Sequence, residues 1–409
     1  MNIDELPILD QIDSPEFSSN LDWIAELFGR PYTGLYRTSW DAPVFFRNAE
    51  LREVAQMKEA THQTIDSMSG YWREMAPAHC QGLVDTFNET TFSMRAPHHL
   101  PTKKLTSRRF TTASVARFAD AASTAVRSRV QEVGDGSQID FMEDFAKPTV
   151  AHFWSLALGL TREEGLRAIE LITNFQLSSL MAPTAEQIAT ASGSSAEYVQ
   201  MVGSAFNRGI ASGDYDVLTE LAVDFDARDE FVRADDPGKA LAITMLDAFH
   251  TFSGLSSNVI HALISAPESH EQVRADRTLV TEAFYEGSRL HPAVWLSQRE
   301  ALHDFEYQGI PIAEGTPLMM MWGVSNRDPQ VWDDPTTYRL GRGDRVKQTT
   351  FGGGVYACSG KNVARLMGET FIRELTEPTV RVEPAGETEW VPGSSIHELH
   401  AMPVTIRSL

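Results

Sequence analysis

The chemistry of this chain is easiest to place at Cys358. It is one of two cysteines in 409 residues, and it stands in the stretch FGGGVYACSGKNVAR, residues 351–365. Gly352, Gly353 and Gly354 precede it and Gly360 follows. Val363, Leu366, Met367, Phe371 and Leu375 then recur at helical spacing, so the sulfur is expected where a glycine-rich loop turns into a helix. Amide N–H groups and the positive dipole end at such a place favour a thiolate. Glycines let a backbone come close to something large and flat. A thiolate beside a bulky planar group is what axial haem ligation by cysteine requires.

Other readings of the loop are weaker. Cys358 has no CxxC partner, which disfavours structural zinc and iron–sulfur clusters. A phosphate-binding loop needs GxxxxGK followed by Ser or Thr. Here the spacing from Gly354 to Gly360 is one residue too long, and Asn362 follows Lys361. The histidines of HELH, residues 397–400, are three apart in a stretch that reads as strand and turn, so it is not a zinc motif. Glu286 and Arg289 share one helix face, as do His99 and Lys103.

Composition narrows the class. There is no run of roughly 18 apolar residues, and the acidic N-terminus MNIDELPILDQIDSPEF lacks the form of a signal peptide. A soluble cytoplasmic protein is expected. Two cysteines, Cys80 and Cys358, do not make a disulfide framework. A net charge of −21 argues against nucleic acid or an anionic membrane as partner. Local basic clusters therefore stand out: Lys103, Lys104, Arg108 and Arg109, and then Arg342, Arg345, Lys347, Lys361 and Arg365 around the cysteine loop.

The cysteine stretch resembles the ligand loop of the cytochrome P450 family, FGxGxHxCxGxxLAR. Phe351, Gly352, Gly354, Cys358, Gly360, Ala364 and Arg365 match, and Val363 replaces Leu. Tyr356 stands where the family carries a His or Arg that reaches a haem propionate; its hydroxyl can bond there without charge. His99 and Lys103 match a His and an Arg that bind the propionates, and Lys keeps the charge but loses the bidentate fork. Glu286 and Arg289 match an ExxR pair, with His291-Pro292 after it and Arg342 as third member. Arg299 falls on a strand that supplies another propionate contact. The stretch 240–330 is also similar to bacterial members that demethylate small aromatic ethers.

The resemblance implies a mainly α fold with a smaller β region, and one b-type haem (iron protoporphyrin IX) between two helices. One domain is expected over residues 1–409. Its β-rich portions fall near 30–60, 295–325 and 380–409, and its helical body covers 96–290 and 358–377. The implied reaction inserts one oxygen atom from O2 into a small organic or natural-product substrate, as in secondary metabolism. Electrons would come from a ferredoxin or flavodoxin-type donor that docks on the basic clusters of a monomer. The alternatives are an atypical outcome (oxidative coupling, nitration, rearrangement or aromatic O-demethylation) and a haem-binding sensor.

Among the elements, Pro43 to Phe46 reads as a strand fragment and Leu51 to Met57 as a helix. Residues 60–96, with Tyr71, Trp72, Phe87, Phe92 and Met94, cover the substrate in the family. Residues 183–198 have the small, polar composition of a mobile loop. Residues 240–265 read as one long apolar helix that crosses the haem face opposite the cysteine. Counted from Ala248, the family's acid position falls on Thr251 and its alcohol position on Phe252, so the proton-relaying pair is missing. Thr251, Ser253, water or the substrate must then carry protons past Phe252. Ser256, Ser257 and Gly254 offer further hydroxyls and a kink. His250 reads as a core or edge histidine. Val294, Trp295 and Ile396, with Ser395 and Leu399, are the substrate-pocket candidates.

Overall fold

The computed structural model describes residues 2–31, 34–343 and 345–408. Helices form the larger body: α1 (Gln81–Glu89), α2 (His99–Ser107), α3 (Arg162–Phe175), α4 (Ala185–Ser212), α5 (Pro237–Thr244), α6 (His250–Ile264), α7 (Val280–Leu290) and α8 (Lys361–Leu375), with shorter turns between them. Helix α6 is buried almost all round, as the apolar stretch requires, and packs on both α7 and α8. Val363, Met367, Phe371 and Leu375 give α8 its buried face, with Leu366 at the rim.

The β region lies to one side. A five-stranded sheet runs β1 (Tyr36–Arg37), β2 (Pro43–Phe45), β8 (Pro317–Met320), β5 (Ser297–Ala301), β3 (Ala60–Thr61). Only β2 and β8 pair in parallel, Val44 opposite Met319. Thr61 lies opposite Glu300 across β3 and β5, which sets His62 beside Arg299. A second sheet joins β4 (Asp135–Asp140), β12 (Pro403–Ser408) and β9 (Val380–Pro384). Two hairpin pairs complete it, β6 (Phe305–Tyr307) with β7 (Ile310–Ile312), and β10 (Glu389–Trp390) with β11 (Leu399–Ala401).

Three expectations change. Residues 185–198 are not a loop but the first half of α4. Thr184 and Gln187 cap it reciprocally, Gln187 N–H to Thr184 Oγ1 at 3.2 Å and Thr184 N–H to Gln187 Oε1 at 2.8 Å. Its small residues serve close helix packing, because Ser192 and Ser195 are buried and a Cβ on Gly82 of α1 would meet the Ser192 carbonyl at 2.3 Å. The early helix spans Asn48–Val54 rather than 51–57. The 240–265 helix is broken: α5 stops at Thr244, α6 starts at His250, and residues 245–249 are turns. Hydroxyls compete for the carbonyls just beyond the break. Thr251 Oγ1 donates to Asp247 O at 2.6 Å and Ser253 Oγ to Phe249 O at 3.0 Å, the back-bonding that bends helices.

Candidate functional site

The cysteine loop folds back on itself before α8. Cys358 N–H donates to Phe351 O at 2.9 Å, closing a turn over the glycines. Gly352 and Gly354 have φ of +69° and +66°, a conformation that side chains rarely adopt. A Cβ on Gly354 would also meet the Ala55 carbonyl at 2.0 Å. Both glycines therefore serve the turn, and Gly354 also its packing on the protein.

Cys358 is exposed, yet it lies deep in the protein, so its accessible surface faces an interior space. Its sulfur accepts N–H bonds from Gly360 and Lys361, as a helix start allows. Burial outweighs them, and the Lys103 charge with them, and pushes the thiol up. The helix end alone does not make a thiolate here; a bound cation would, since a coordinating thiol is deprotonated.

Above the loop, four bases converge: His62, His99, Lys103 and Arg299. Arg299 Nη2 donates to Gly353 O at 3.1 Å and Nη1 to Ala60 O at 3.3 Å, and its guanidinium lies 4.5 Å over the Tyr356 ring. Lys103 Nζ donates to Val355 O at 2.7 Å and Ala357 O at 2.5 Å. His62 stacks on Tyr356 at 3.8 Å, His99 meets it at 4.5 Å, and Tyr356 Oη pairs with Thr61 Oγ1 at 2.7 Å. Burial, then the Lys103 charge, holds the His99 imidazole down to about 4. Burial, then Arg299, holds His62 well below its ordinary value. Burial lowers Arg299 to about 10 and also lowers Lys103. Among the described residues, no carboxylate is among the charges acting on His62, His99, Lys103 or Arg299. Such a cluster fits an anionic ligand with more than one carboxylate, and the two propionates of a haem are that. His62 was missed in the sequence, because only the long-range pairing of β3 with β5 brings it here.

The far wall is the break between α5 and α6. Thr244, Asp247, Ala248 and Thr251 are half-buried at helical spacing, while Leu246, Phe249, His250 and Phe252 between them are buried. The Asp247 charge reaches the Cys358 thiol, so the stripe lies on the side of the break toward Cys358. Thr251 stands in that stripe, with its hydroxyl donated to the Asp247 carbonyl at 2.6 Å. Phe252 does not stand in its place: its ring packs on Trp154 and reaches toward Gly360, where a Cβ would meet it at 3.6 Å. Ser253 is fully buried, with its hydroxyl given to the Phe249 and His250 carbonyls. The count from Ala248 was therefore one residue late, since a break in the helix leaves no local mark of register.

Behind the loop, Arg289 Nε and Nη2 donate to the two oxygens of Glu286, both at 2.8 Å, and Arg342 Nε donates to Glu286 Oε1 at 2.8 Å. Arg289 also takes the carbonyls of Asn326 at 2.9 Å and Pro335 at 2.6 Å. Arg342 is thus turned inward and leaves the basic surface, as does Arg109, which is buried on Asp224 at 2.8 Å. Lys104, Arg108, Arg345 and Lys361 remain exposed there.

At the pocket end, Val294 and Ile396 pair as a bridge. Trp295 is fully buried in the core, its ring so close to Gly323 that a Cβ there would stand 1.9 Å away. It is a core residue and no pocket wall. The segment after α3 is fastened to the C-terminal turn through main-chain atoms: Met181 N–H to Gly393 O at 3.0 Å and Ser395 N–H to Ser179 O at 3.2 Å.

A family model described as Cytochrome P450 matches residues 255–377. The chain is 24% identical to "Cytochrome p450 CYP199A2" of Rhodopseudomonas palustris over 311 residues, 76% of this chain and 74% of that one. It is 25% identical to "6-deoxyerythronolide B hydroxylase" of Saccharopolyspora erythraea over 279 residues, 68% of each. Among solved structures, P450BioI in complex with an acyl-carrier-protein-linked fatty acid is similar with a TM-score of 0.82 at 18% identity. That match covers 97% of this chain and 100% of the other.

Proposed function

The chain belongs to the cytochrome P450 family, as a haem b monooxygenase, and from that premise we propose that it inserts one oxygen atom from O2 into a small organic or natural-product substrate. The observation that carries the reading is a cysteine sulfur held by two amide N–H groups at an interior space, beside four bases that have no carboxylate partner among the described residues. The name of the hydroxylase relative supports a natural-product substrate.

Haem b, when bound, supplies the iron at which oxygen chemistry occurs. The residues present fit it. Cys358 would supply the thiolate that holds the iron, and the Gly360 and Lys361 N–H bonds would limit how much charge its sulfur passes on. His62, His99, Lys103, Arg299 and the Tyr356 hydroxyl would hold the propionates. Phe252 would pack beside the group near Gly360, and Thr251 would offer a hydroxyl from the helix break. With Thr251 there, the reason for preferring coupling or nitration over oxygen insertion weakens.

The chain works as one haem domain, a cytoplasmic monomer. A ferredoxin or flavodoxin-type donor docks on Lys104, Arg108, Arg345 and Lys361 around the exposed Val355 of the cysteine loop. No described helix is long and apolar enough to cross a membrane. The test is the reduced carbonyl complex of purified protein. A thiolate donor gives a red-shifted Soret band, and Cys358→Ser is expected to abolish it. A wild-type protein without that band overturns the reading.

A further inference from the structure

Asp247 is an interior acid with only one of its two oxygens in use. It lies in the break between α5 and α6, surrounded by protein, yet it is only half-buried. As at Cys358, its accessible surface therefore opens on the interior space. Oδ1 accepts from Gln176 Nε2 at 3.0 Å. Oδ2 has no hydrogen-bond partner among the described residues, and protein does not close it off. Thr251, one turn on, gives its hydroxyl to the Asp247 carbonyl and not to the carboxyl. The titratable groups that sense this carboxyl or act on it are His250, Tyr198 and Cys358. His250 stands 2.6 Å from Glu398, and burial keeps the Tyr198 phenol neutral. Among the described residues, no lysine or arginine is a charge acting on Asp247.

The carboxyl is also held in one orientation. Gln176 is buried just past the end of α3, and Ser179 Oγ donates to its Oε1 at 2.9 Å, which turns Nε2 toward Asp247. Ser395 N–H in turn holds Ser179 O at 3.2 Å. Three segments thus fix the carboxyl before any ligand arrives, which lowers the ordering cost of binding. Charge then selects the ligand. A carboxylate away from water is costly until a cation pairs with it, and burial pushes this one up, so by itself it keeps a proton more readily than an ordinary aspartate. The net charge of −21 draws cations toward the molecule from solution. We propose that Asp247 and Gln176 form a recognition site for a basic amine, whose protonated nitrogen donates to Asp247 Oδ2 from the interior space. Asp247 touches the amine and sets specificity; Gln176 acts through Asp247 and is a positioning residue. The proposal names the substrate class of the monooxygenase site and rests on that reading.

The test compares two probes of the same shape on haem-loaded full-length protein. One is N,N-dimethyl-2-phenylethylamine; the other is 3-methylbutylbenzene, with a CH in place of the nitrogen. Equilibrium dialysis gives both affinities, and the absorbance spectrum shows whether the nitrogen has taken the iron. Wild type is expected to bind the amine roughly 10- to 100-fold tighter than the hydrocarbon, the worth of one charge-assisted hydrogen bond, with no Soret shift of the nitrogen-ligated kind. Asp247→Asn should bring the two affinities within about threefold of each other and leave that for the hydrocarbon unchanged. Gln176→Met should give an intermediate ratio, since the carboxylate stays but is less well aimed. Equal affinity for the two probes in wild type, or binding of neither, overturns the proposal without any variant. So does a preference that survives Asp247→Asn, or an amine that binds only through the iron. The two readings fail separately. A protein that lacks the thiolate Soret band and still prefers the amine keeps this site and loses the monooxygenase reading. A protein with the band and no preference loses this site alone.

Discussion

Arg289 and Arg299 are both buried arginines, and the structure treats them in opposite ways. Arg289 has a carboxylate on two of its nitrogens and carbonyls on a third, and Arg342 shares that carboxylate from the other side. Arg299 has two carbonyls and the face of a tyrosine, with His62, His99 and Lys103 around it. The first cluster is electrically closed by the chain itself. The second carries surplus positive charge. Burying a charge is costly without a partner, so the second arrangement makes sense only with a ligand that brings the missing negative charge. A buried cation that finds its partner within the chain marks structure; one that does not marks a binding site.

The contrast can be broken most strongly at Glu286. Glu286→Gln leaves Arg289 and Arg342 without their anion and is expected to cost roughly 3–5 kcal/mol of stability, with or without haem. Denaturant unfolding measures it, and a loss under about 1 kcal/mol would show that the carbonyls alone suffice for these arginines. Arg299→Ala should behave in the opposite manner. The haem-free protein should stay within about 1 kcal/mol of wild type, while haem affinity falls roughly 10- to 100-fold, the worth of one charge-assisted hydrogen bond. Transfer of haem to an apoglobin reads this directly. Equal losses in both forms would make Arg299 a second structural arginine.

Acid sharpens the same comparison. His99 is held down to about 4 and His62 is also depressed, so from an ordinary value of 6.5 down to about pH 4 the unfolded chain binds more protons than the folded one. Stability of the haem-free protein therefore rises with pH across that window and is lost as pH falls through it. His261 and His397, lowered to about 4 and about 3 by burial, add the same sign in both forms. Two carboxylates in the cluster raise His62 and His99 back toward ordinary values, so the loaded protein should show the shallower slope. Thermal melts at a series of pH values check it; identical slopes would remove the propionates from this site. The smallest effect is expected from Tyr356→Phe, which loses one hydrogen bond to Thr61 and about 1 kcal/mol.

Much of this could be read from the chain alone wherever function depends on neighbours in sequence. Cys358 with its glycines, Glu286 with Arg289, and His99 with Lys103 each lie within a turn or two of one another. The parts that escaped depend on distance or on a broken period. His62 reaches the site through a strand pairing, and Trp295 is drawn into the core by the room that Gly323 leaves. The relay register was misread because an intact helix was assumed across residues 245–249. Asp247 did leave a trace, as a lone acid in an apolar stretch, four residues before Thr251. The small residues of 183–198 were taken for softness when they permit tight contact between helices. The TxxQ cap at Thr184 was the available sign of a helix start.

The fastening between residues 179–181 and 393–395 is made by amides and carbonyls, with one hydroxyl beside them, Ser395 Oγ to Ser179 O at 3.1 Å. Main-chain atoms are the same for every residue type except proline. The lining of that end of the cavity can thus change side chains for a new compound without breaking the two main-chain bonds that join its halves.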